Sequence, residues 1–330
     1  IFFYLLNVVQ QGTFRMLGVQ IEAGPVGAFG HYAQPIVVYQ AMGAMVALVG
    51  MGLWQARHHL RDVARKAFMG APHVDDSGEM LSYRQAVAGL IGGSLVMSAW
   101  LWRAGLPLWV APLLLAACFV LFLTVTRVVV EGGVAVMFPS FTGPDFTSAA
   151  VGTSLLGPRG AAAVATTYVW GTDILLLLMT SCSNGLKLAD QYLVRKRRLF
   201  WAILGTILVT VGVALWVRLA AGYEHGAINL NQFYADNCAQ YPYQFMATVV
   251  AEPAGPHVEG LVQVAVGATI MAALEVLHYR FLWWPFHPLG FTALMGPQFM
   301  GDRYGFSIFI GWLVRRLVYN FGGYRGYENA

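Results

Sequence analysis

Ionisable side chains are scarce in this sequence, and one pair of them lies beside a pair of glycines. Arg127 and Glu131 are four residues apart, and Gly132 and Gly133 follow directly. Residues four apart share one face of a helix, so the two side chains can form an ion pair. The pair either orients a helix break at the glycines or makes Glu131 a protonatable coupling site, whose pKa responds to Arg127 and to substrate.

A second polar pair, Glu275 and His278, lies three residues apart near the end of an apolar segment, and Arg280 follows it. Helical di-iron proteins use the same Glu-x-x-His spacing, because residues three apart project to one side. A di-metal site also needs a second such motif and further carboxylates, which the sequence lacks. We therefore predict no metal site and no cofactor, and expect the pair to be an interfacial polar anchor or a proton relay.

The stretch 284–291 combines a titratable residue with residues that break helices. Pro285, Pro288 and Gly290 prevent a continuous helix there. His287 lies between the two prolines, and histidine titrates near neutral pH. Because ionisable residues at membrane depth are costly and tend to be functional, we take these three regions as candidates for a substrate or ion pathway.

Two interrupted stretches of the chain, 127–146 and 280–299, resemble each other. When one is placed on the other, Arg127 aligns with Arg280, Phe138 with Phe291, Gly143 and Pro144 with Gly296 and Pro297, and Phe146 with Phe299. Matching Gly- and Pro-interrupted segments in two halves of a chain indicate the substrate site of a secondary transporter. We therefore predict an internal duplication, with broken helices at these glycines and prolines.

Two aspartates complete the set of candidate pathway residues. Asp145 follows Gly143 and Pro144, whereas Gln298 occupies the matching place in the second stretch. A carboxylate in one copy and an amide in the other is consistent with an asymmetric ion or proton site. It is equally consistent with random sequence change in a loop. Asp173 stands among apolar residues, so we expect it to face the interior of a bundle.

The composition fixes the class of protein that must position these residues. Of 330 residues, 58% are hydrophobic and 11% are charged, far fewer charged residues than the roughly 25% of a soluble domain. Long apolar segments without alternating polarity favour helices over a β-barrel. The sequence predicts an all-α, polytopic transmembrane helical bundle in contact with the lipid bilayer. The net charge of +4 requires no nucleic-acid partner.

Seven apolar segments are long enough to cross a bilayer, and two basic clusters orient them. The segments are 35–55, 85–104, 107–127, 161–183, 199–221, 259–279 and 305–320. The basic clusters lie at 57–66 and 187–198 and should be cytoplasmic. For both basic clusters to lie on the cytoplasmic side, a segment within residues 131–160 must also cross the membrane. If this segment crosses, the two repeats have the same orientation in the membrane. If it is re-entrant, and leaves on the side that it entered, the repeats are inverted.

These boundaries divide the chain into two membrane repeats. The first covers 1–190 and includes a cytoplasmic linker at 56–84. The second covers 191–330 and includes a polar external loop at 222–257, which either caps a vestibule or packs on the bundle as a connection. Both ends of the chain are expected to be incomplete.

The chain resembles a family of bacterial polytopic membrane proteins that is distantly similar to the oligopeptide transporter superfamily. The resemblance rests on the stretches 126–133, 284–291, and 309–313 leading to 321–325. It implies proton-coupled uptake of small peptides or metal chelates across the bacterial cytoplasmic (inner) membrane. The signature residues of the superfamily do not map cleanly onto this chain, so no substrate-binding position is transferred.

We therefore expect a secondary transporter, whose partners are protons and a small peptide or chelate. The alternative is an accessory or scaffold subunit that packs against other membrane subunits and transports nothing. An enzyme is not expected, because the sequence has no nucleotide-binding loop, no G-x-S-x-G and no H-E-x-x-H motif.

Overall fold

The computed structural model describes the chain apart from residues 1, 23, 25–33, 73, 135–136, 138, 140–141, 173–177, 193–195, 232–237, 282, 295–304 and 329–330. The described residues form α-helices and no strand, so the predicted all-α architecture is confirmed. The helices are α1 (Phe2–Met16), α2 (Pro35–Gln55), α3 (Arg57–Met69), α4 (Tyr83–Ala104), α5 (Val110–Gly132), α6 (Gly143–Val151), α7 (Thr153–Gly171), α8 (Leu178–Tyr192), α9 (Arg197–His225), α10 (Cys238–Ala251), α11 (Val258–Arg280), α12 (Pro288–Leu294) and α13 (Phe306–Glu328).

Five of these helices are long and apolar enough to cross a membrane, namely α2, α4, α5, α9 and α11. They match five of the predicted segments, and they indicate an integral membrane protein. Their surroundings differ. Most of α2 and over half of α5 are buried inside the protein, whereas Leu101 is the one buried residue of α4 and α9 has none among the described residues.

Local sequence signals place the helix ends around α4 and α5. The Ser82 side chain caps α4 and forms a reciprocal capping box with Gln85, which satisfies two backbone N–H groups at the helix start. Gly105 ends α4 in the left-handed conformation with φ 110°, where glycine avoids the steric cost of a side chain. Gly133 ends α5 in the same way, with φ 63°.

The centre of the protein is the contact between α2 and α11, where two glycines let the backbones meet. A Cβ on Gly43 would lie 1.8 Å from the Val264 carbonyl oxygen, and one on Gly267 would lie 1.9 Å from the Gln40 carbonyl oxygen. Small residues permit this close approach between membrane helices. The Gln40 amide also donates a hydrogen bond of 3.0 Å to the side chain of Gln263, which adds a polar tie.

Helices α2, α5 and α11 run in the same direction. Along α2 and α11, Gln40 contacts Gln263, and further along Gln55 accepts a hydrogen bond from Tyr279. Along α2 and α5, the Met45 carbonyl accepts from Thr124 and, nearer the C-terminal ends, the Leu48 carbonyl accepts from Arg127. The C-terminal ends of α5 and α11 therefore lie at one side of the bundle.

Helix α6 lies back towards the beginning of α5. A Cβ on Gly143 would be 2.4 Å from the Cys118 sulfur, and the Ala149 carbonyl accepts a hydrogen bond of 2.9 Å from the His257 backbone just before α11. Since α5 ends at Gly132, the chain has moved back along α5 by the time it enters α6. Helix α7 then starts on the same side, where Thr153 and Ala254 exchange hydrogen bonds.

Three predicted boundaries differ from the described helices. Within the apolar segment 161–183, α7 ends at Gly171, residues 173–177 lie outside the described residues, and α8 covers the rest from Leu178. The predicted linker 56–84 contains the basic helix α3. The predicted external loop 222–257 contains α10, whose Phe245 and Val249 are buried against the core around α7.

Candidate functional site

Arg127 lies at the centre of a cluster of ionisable residues at the C-terminal ends of α5 and α11. We refer to this cluster, which consists of Arg127, Glu131, Glu275, His278 and His287, as the charged cluster. Its Nε donates hydrogen bonds to both carboxylate oxygens of Glu131, at 2.9 and 3.1 Å. Its Nη1 donates to the Leu48 carbonyl at 3.3 Å and lies 3.6 Å from Oε1 of Glu275. One guanidinium group therefore joins α2, α5 and α11, and it is shared by two carboxylates.

The two carboxylates that share Arg127 lie in different surroundings. The Glu131 side chain is 48% exposed, whereas the Glu275 side chain is 2% exposed. Oε2 of Glu275 is buried and has no hydrogen-bond partner among the described residues. Burying an ionised oxygen without a hydrogen bond costs free energy, and binding of a proton or a polar ligand at this atom would remove that cost.

Two further buried polar atoms, Nδ1 of His278 and Nε1 of Trp284, also have no hydrogen-bond partner among the described residues. His278 is on α11 one turn after Glu275, and its ring lies 4.7 Å from the ring of His287 between the centroids. The cluster thus brings an arginine, two carboxylates and two imidazoles to one side of the bundle.

His287 extends the cluster beyond α11. Partial burial lowers the pKa of His287 below its usual 6.5, and the charges of His278 and Arg127 act in the same direction, while Glu131 opposes them. Its Nδ1 accepts a hydrogen bond of 3.3 Å from the Leu289 backbone, which also favours the neutral ring. His287 is therefore mainly neutral at neutral pH and becomes charged only in acid.

This arrangement can bind and release a proton next to an ion pair. Protonation of Glu275 would neutralise the carboxylate that Arg127 contacts across α5 and α11, and it would leave Arg127 paired with Glu131. His278 follows Glu275 by one turn of α11, and the ring of His287 lies against that of His278. In the described residues, no group of three or more His, Cys, Asp or Glu side chains is arranged to hold a metal ion.

The structure brings together five of the predicted pathway residues, Arg127, Glu131, Glu275, His278 and His287. Arg280, the last residue of α11, is exposed. Asp173, Gly296 and Pro297 lie outside the described residues. The second interrupted stretch is therefore described only as far as α12.

The described helix-breaking residues lie at or before helix ends, except Gly290, which lies within α12 and does not break it. Gly132 ends α5 and Gly133 caps it, while Gly143 and Pro144 begin α6. Pro285 precedes α12, Pro288 begins it, and Gly290 lies against Phe3 of α1, whose ring would be 2.6 Å from an added Cβ.

Asp145 forms a separate polar centre near the beginning of α5, away from the charged cluster. Its side chain is buried, with the residue 2% exposed. Oδ2 accepts a hydrogen bond of 2.6 Å from the Thr142 hydroxyl, and Oδ1 accepts one of 2.5 Å from the Tyr168 hydroxyl. We refer to Asp145, Thr142 and Tyr168 as the Asp145 centre.

The neutral partners of Asp145 and Arg127 were not predicted from the sequence. Thr142 has the spacing of a helix-capping residue before Gly143 and Pro144, and that signal was available in the sequence. Tyr168 and the Leu48 carbonyl had no comparable signal, because one is an aromatic residue in an apolar run and the other is a backbone group.

Comparisons with known proteins assign the chain to a family. The chain belongs to the family of unknown function DUF6785, and the match covers residues 1–330. No curated protein and no solved structure matches the chain. The distant similarity to the oligopeptide transporter superfamily stays a prediction.

Proposed function

We propose that this DUF6785 protein is a proton-coupled secondary transporter, and that the charged cluster is its proton-binding site. The observation that carries the proposal is Glu275, which is buried on a candidate membrane span, contacts Arg127 at 3.6 Å and has one oxygen without a hydrogen bond. Ionisable residues inside membrane spans are costly, so they are retained mainly where they serve transport or proton transfer.

The contacts of Arg127 explain how protonation would move the helices. The ionised pair of Arg127 and Glu275 holds α5 against α11. Once Glu275 is neutral, Arg127 is held by Glu131 on its own helix, and the attraction across α5 and α11 is weaker. Proton binding would thus favour one arrangement of the two helices over another, which is the requirement for coupling.

The helix directions support the parallel form of the predicted duplication. Helices α5 and α11 contain the beginnings of the two related stretches, and they run the same way beside α2. Under the proposal, the helix ends at Gly133 and Pro288 border the transport pathway. The proposed substrates are small peptides or metal chelates, and the proposed location is the bacterial cytoplasmic membrane, both from the family resemblance.

The proposal is tested in lipid vesicles that contain the purified protein and a trapped pH-sensitive dye. An imposed pH gradient should drive uptake of a probe substrate, dialanine or a ferric citrate chelate, together with movement of protons. The Glu275→Gln variant should lose the proton movement. Glu259→Gln is the matched control, because Glu259 lies in the first turn of the same helix and is exposed.

Glu131→Gln separates the two carboxylates of the cluster. Since Glu131 is half-exposed and pairs with Arg127 on one helix, we expect this variant to shift the pH at which transport is half-maximal while proton coupling remains. Proton movement that is unchanged in Glu275→Gln would contradict the assignment of the coupling site.

The second candidate function is that of an accessory subunit without transport. It is favoured by α9, a helix of apolar residues none of which is buried among the described residues, and which lipid or another subunit must cover. Vesicles that contain only this protein distinguish the two functions. Proton-driven uptake by the protein alone would exclude the accessory role.

A further inference from the structure

We propose that helix α3 lies on the membrane surface and binds the headgroups of anionic phospholipids through one of its faces. This face consists of Arg57, Arg61, Arg65 and Phe68, and we refer to it as the arginine face. The proposal concerns the lipid around the protein. It is independent of transport, of the charged cluster and of the Asp145 centre.

Helix α3 joins the ends of two candidate membrane spans. It begins at Arg57, and only Ala56 separates it from the end of α2. Near its other end, the Ala67 carbonyl accepts a hydrogen bond of 3.2 Å from Arg84, the second residue of α4. Its 13 residues span about 20 Å, which is too short to cross an apolar core of about 30 Å. The end of α2 and the beginning of α4 therefore lie on the same side of the membrane, with α3 between them.

Contacts with α4 indicate how α3 is oriented. The ring of His59, in the first turn of α3, packs edge to face on the ring of Tyr83 with centroids 6.0 Å apart. Ala67, two turns further along α3, contacts Arg84. Residues about 12 Å apart along the axis of α3 thus contact two adjacent residues at the beginning of α4. This pattern is that of a helix that crosses the end of a membrane span, which places α3 near the plane of the membrane surface.

The arginine face is turned away from the packed side of α3. Arg57, Arg61 and Arg65 are spaced four residues apart, and Phe68 lies two turns after Arg61, so all four share one face of the helix. All four are exposed, and the Phe68 ring is 69% exposed. The one buried residue of α3 is Ala67, which lies on a different side of the helix.

Aromatic rings accompany the arginines, as in helices that lie in a membrane interface. The Arg57 guanidinium lies 4.9 Å from the centre of the Trp54 ring and donates a hydrogen bond of 2.9 Å to the Trp54 carbonyl. Trp54 is in the last turn of α2 and is 69% exposed. Tryptophan at the end of a span lies at the level of the headgroups, and interfacial helices combine basic residues with large apolar ones. Trp54 and Phe68 can therefore contact acyl chains while the arginines contact phosphate groups.

The positive charge of α3 is not neutralised within the helix. Its sequence contains four arginine and lysine residues and one acidic residue, Asp62. The Asp62 carboxylate lies 4.0 Å from Arg65, and both side chains are about half-exposed, so this pair is weak. Among the described residues, neither Arg57 nor Arg61 forms an ion pair.

The acidic residues of the loop between α3 and α4 bond to other groups. Asp75 accepts hydrogen bonds from the backbone and the hydroxyl of Ser77, at 2.9 and 3.0 Å. Asp76 accepts one of 3.1 Å from the Tyr83 backbone. The charge of the arginine face is therefore complemented best by an anionic ligand. Because α3 adjoins two membrane spans, that ligand is the phosphate of an anionic phospholipid, to which each arginine near the surface adds affinity.

The test measures lipid binding to the purified protein in a neutral detergent. The protein is titrated with short-chain phosphatidylglycerol or with phosphatidylcholine of the same chain length, and native mass spectrometry gives an apparent Kd for each lipid. The wild type should bind phosphatidylglycerol about tenfold more tightly or better. Arg61→Gln should weaken this binding about fivefold, and the triple variant with Arg57→Gln and Arg65→Gln about a hundredfold. Binding of phosphatidylcholine should not change.

Lys66→Gln is the matched control, because it removes the same charge from the same helix. Lys66 lies about 140° around the helix from Arg61, so this variant should bind phosphatidylglycerol within about twofold of the wild type. Arg61 is exposed, so Arg61→Gln keeps the proposal testable if the triple variant fails to fold. Equal binding of the two lipids by the wild type would overturn the proposal. So would unchanged binding in Arg61→Gln, or an equal loss in Lys66→Gln.

Two soluble probes distinguish lipid from the other anions that could occupy the arginine face. Glycerol phosphate and poly-glutamate both lack acyl chains, so each should bind about tenfold more weakly than phosphatidylglycerol or worse. Glycerol phosphate that binds as tightly as the lipid would assign the face to a soluble phosphate. Poly-glutamate that binds as tightly would assign it to an acidic protein partner. Either result would overturn the lipid proposal.

Discussion

The charged cluster and the Asp145 centre both bury a carboxylate, but the carboxylates have different partners. Glu275 has a charged partner at 3.6 Å and one oxygen without a hydrogen bond. Asp145 has hydroxyl partners on both oxygens, at 2.6 and 2.5 Å. In the first centre the carboxylate shares a guanidinium with Glu131, and in the second two neutral hydroxyl groups hold the carboxylate.

Because of this difference, we expect the stability of the fold to depend more on the charged cluster than on the Asp145 centre. Ion pairs in a buried setting are sensitive to loss of one partner, because the other charge remains in place. Asp145 has a hydroxyl partner on each oxygen, so the loss of one hydroxyl leaves the other in place.

Arg127→Met should give the largest loss of stability, because it leaves Glu275 as a buried charge without its partner. Breaking a buried pair from one side costs about 3–5 kcal/mol. Thermal unfolding in detergent measures the loss, and the double variant with Glu275→Gln should recover most of it. A loss within the roughly 1 kcal/mol of an exposed pair would mean that the cluster behaves like a surface ion pair.

Gly267→Ala should destabilise the contact between α2 and α11, the helices that contribute Leu48 and Glu275 to the charged cluster. The added Cβ would lie 1.9 Å from the Gln40 carbonyl oxygen, so α2 and α11 must move apart. Forced overpacking costs about 1–3 kcal/mol, which thermal unfolding would detect. Gly50→Ala is the control, since no atom lies within 4 Å of its added Cβ. Equal stability of the two variants would contradict the close contact.

Thr142→Val should affect the Asp145 centre alone. The Thr142 side chain accepts from the Asp145 backbone N–H at 3.2 Å and caps α6, and loss of such a cap costs about 0.5–2 kcal/mol. We expect a lower melting temperature and an unchanged pH dependence of the charged cluster. Thr206→Val on α9 is the control, because Thr206 is exposed and bonds only within its own helix.

The two centres also differ in how far the sequence predicted them. Arg127, Glu131, Glu275 and His278 stood out because charged residues are rare in apolar segments, and helical spacing paired them correctly within each helix. The contact between Arg127 and Glu275 had no local signal, because it joins helices far apart in sequence. It depends on both α5 and α11 packing against α2.

The helices themselves were predictable where they are long and apolar. Helices α2, α4, α5, α9 and α11 follow from hydropathy, because each must hide its backbone from lipid. Helix α10 was missed because its Pro242 and polar residues resemble a loop, and it forms by packing Phe245 and Val249 on the core around α7. Tertiary contact supplied what its sequence does not indicate.

His287→Gln should give the smallest effect, and it concerns the acid sensitivity of the charged cluster. The pKa of His287 is below 6.5 in the folded protein, so its contribution to stability is present above that value and is lost as the pH falls through the folded-state pKa. Between about pH 8 and about pH 5, the melting temperature of His287→Gln should fall less than that of the wild type. His225→Gln, at the exposed end of α9, should fall as much as the wild type. A similar fall in both variants would mean that His287 does not carry the acid sensitivity, and that its neighbour His278 is the group to replace next.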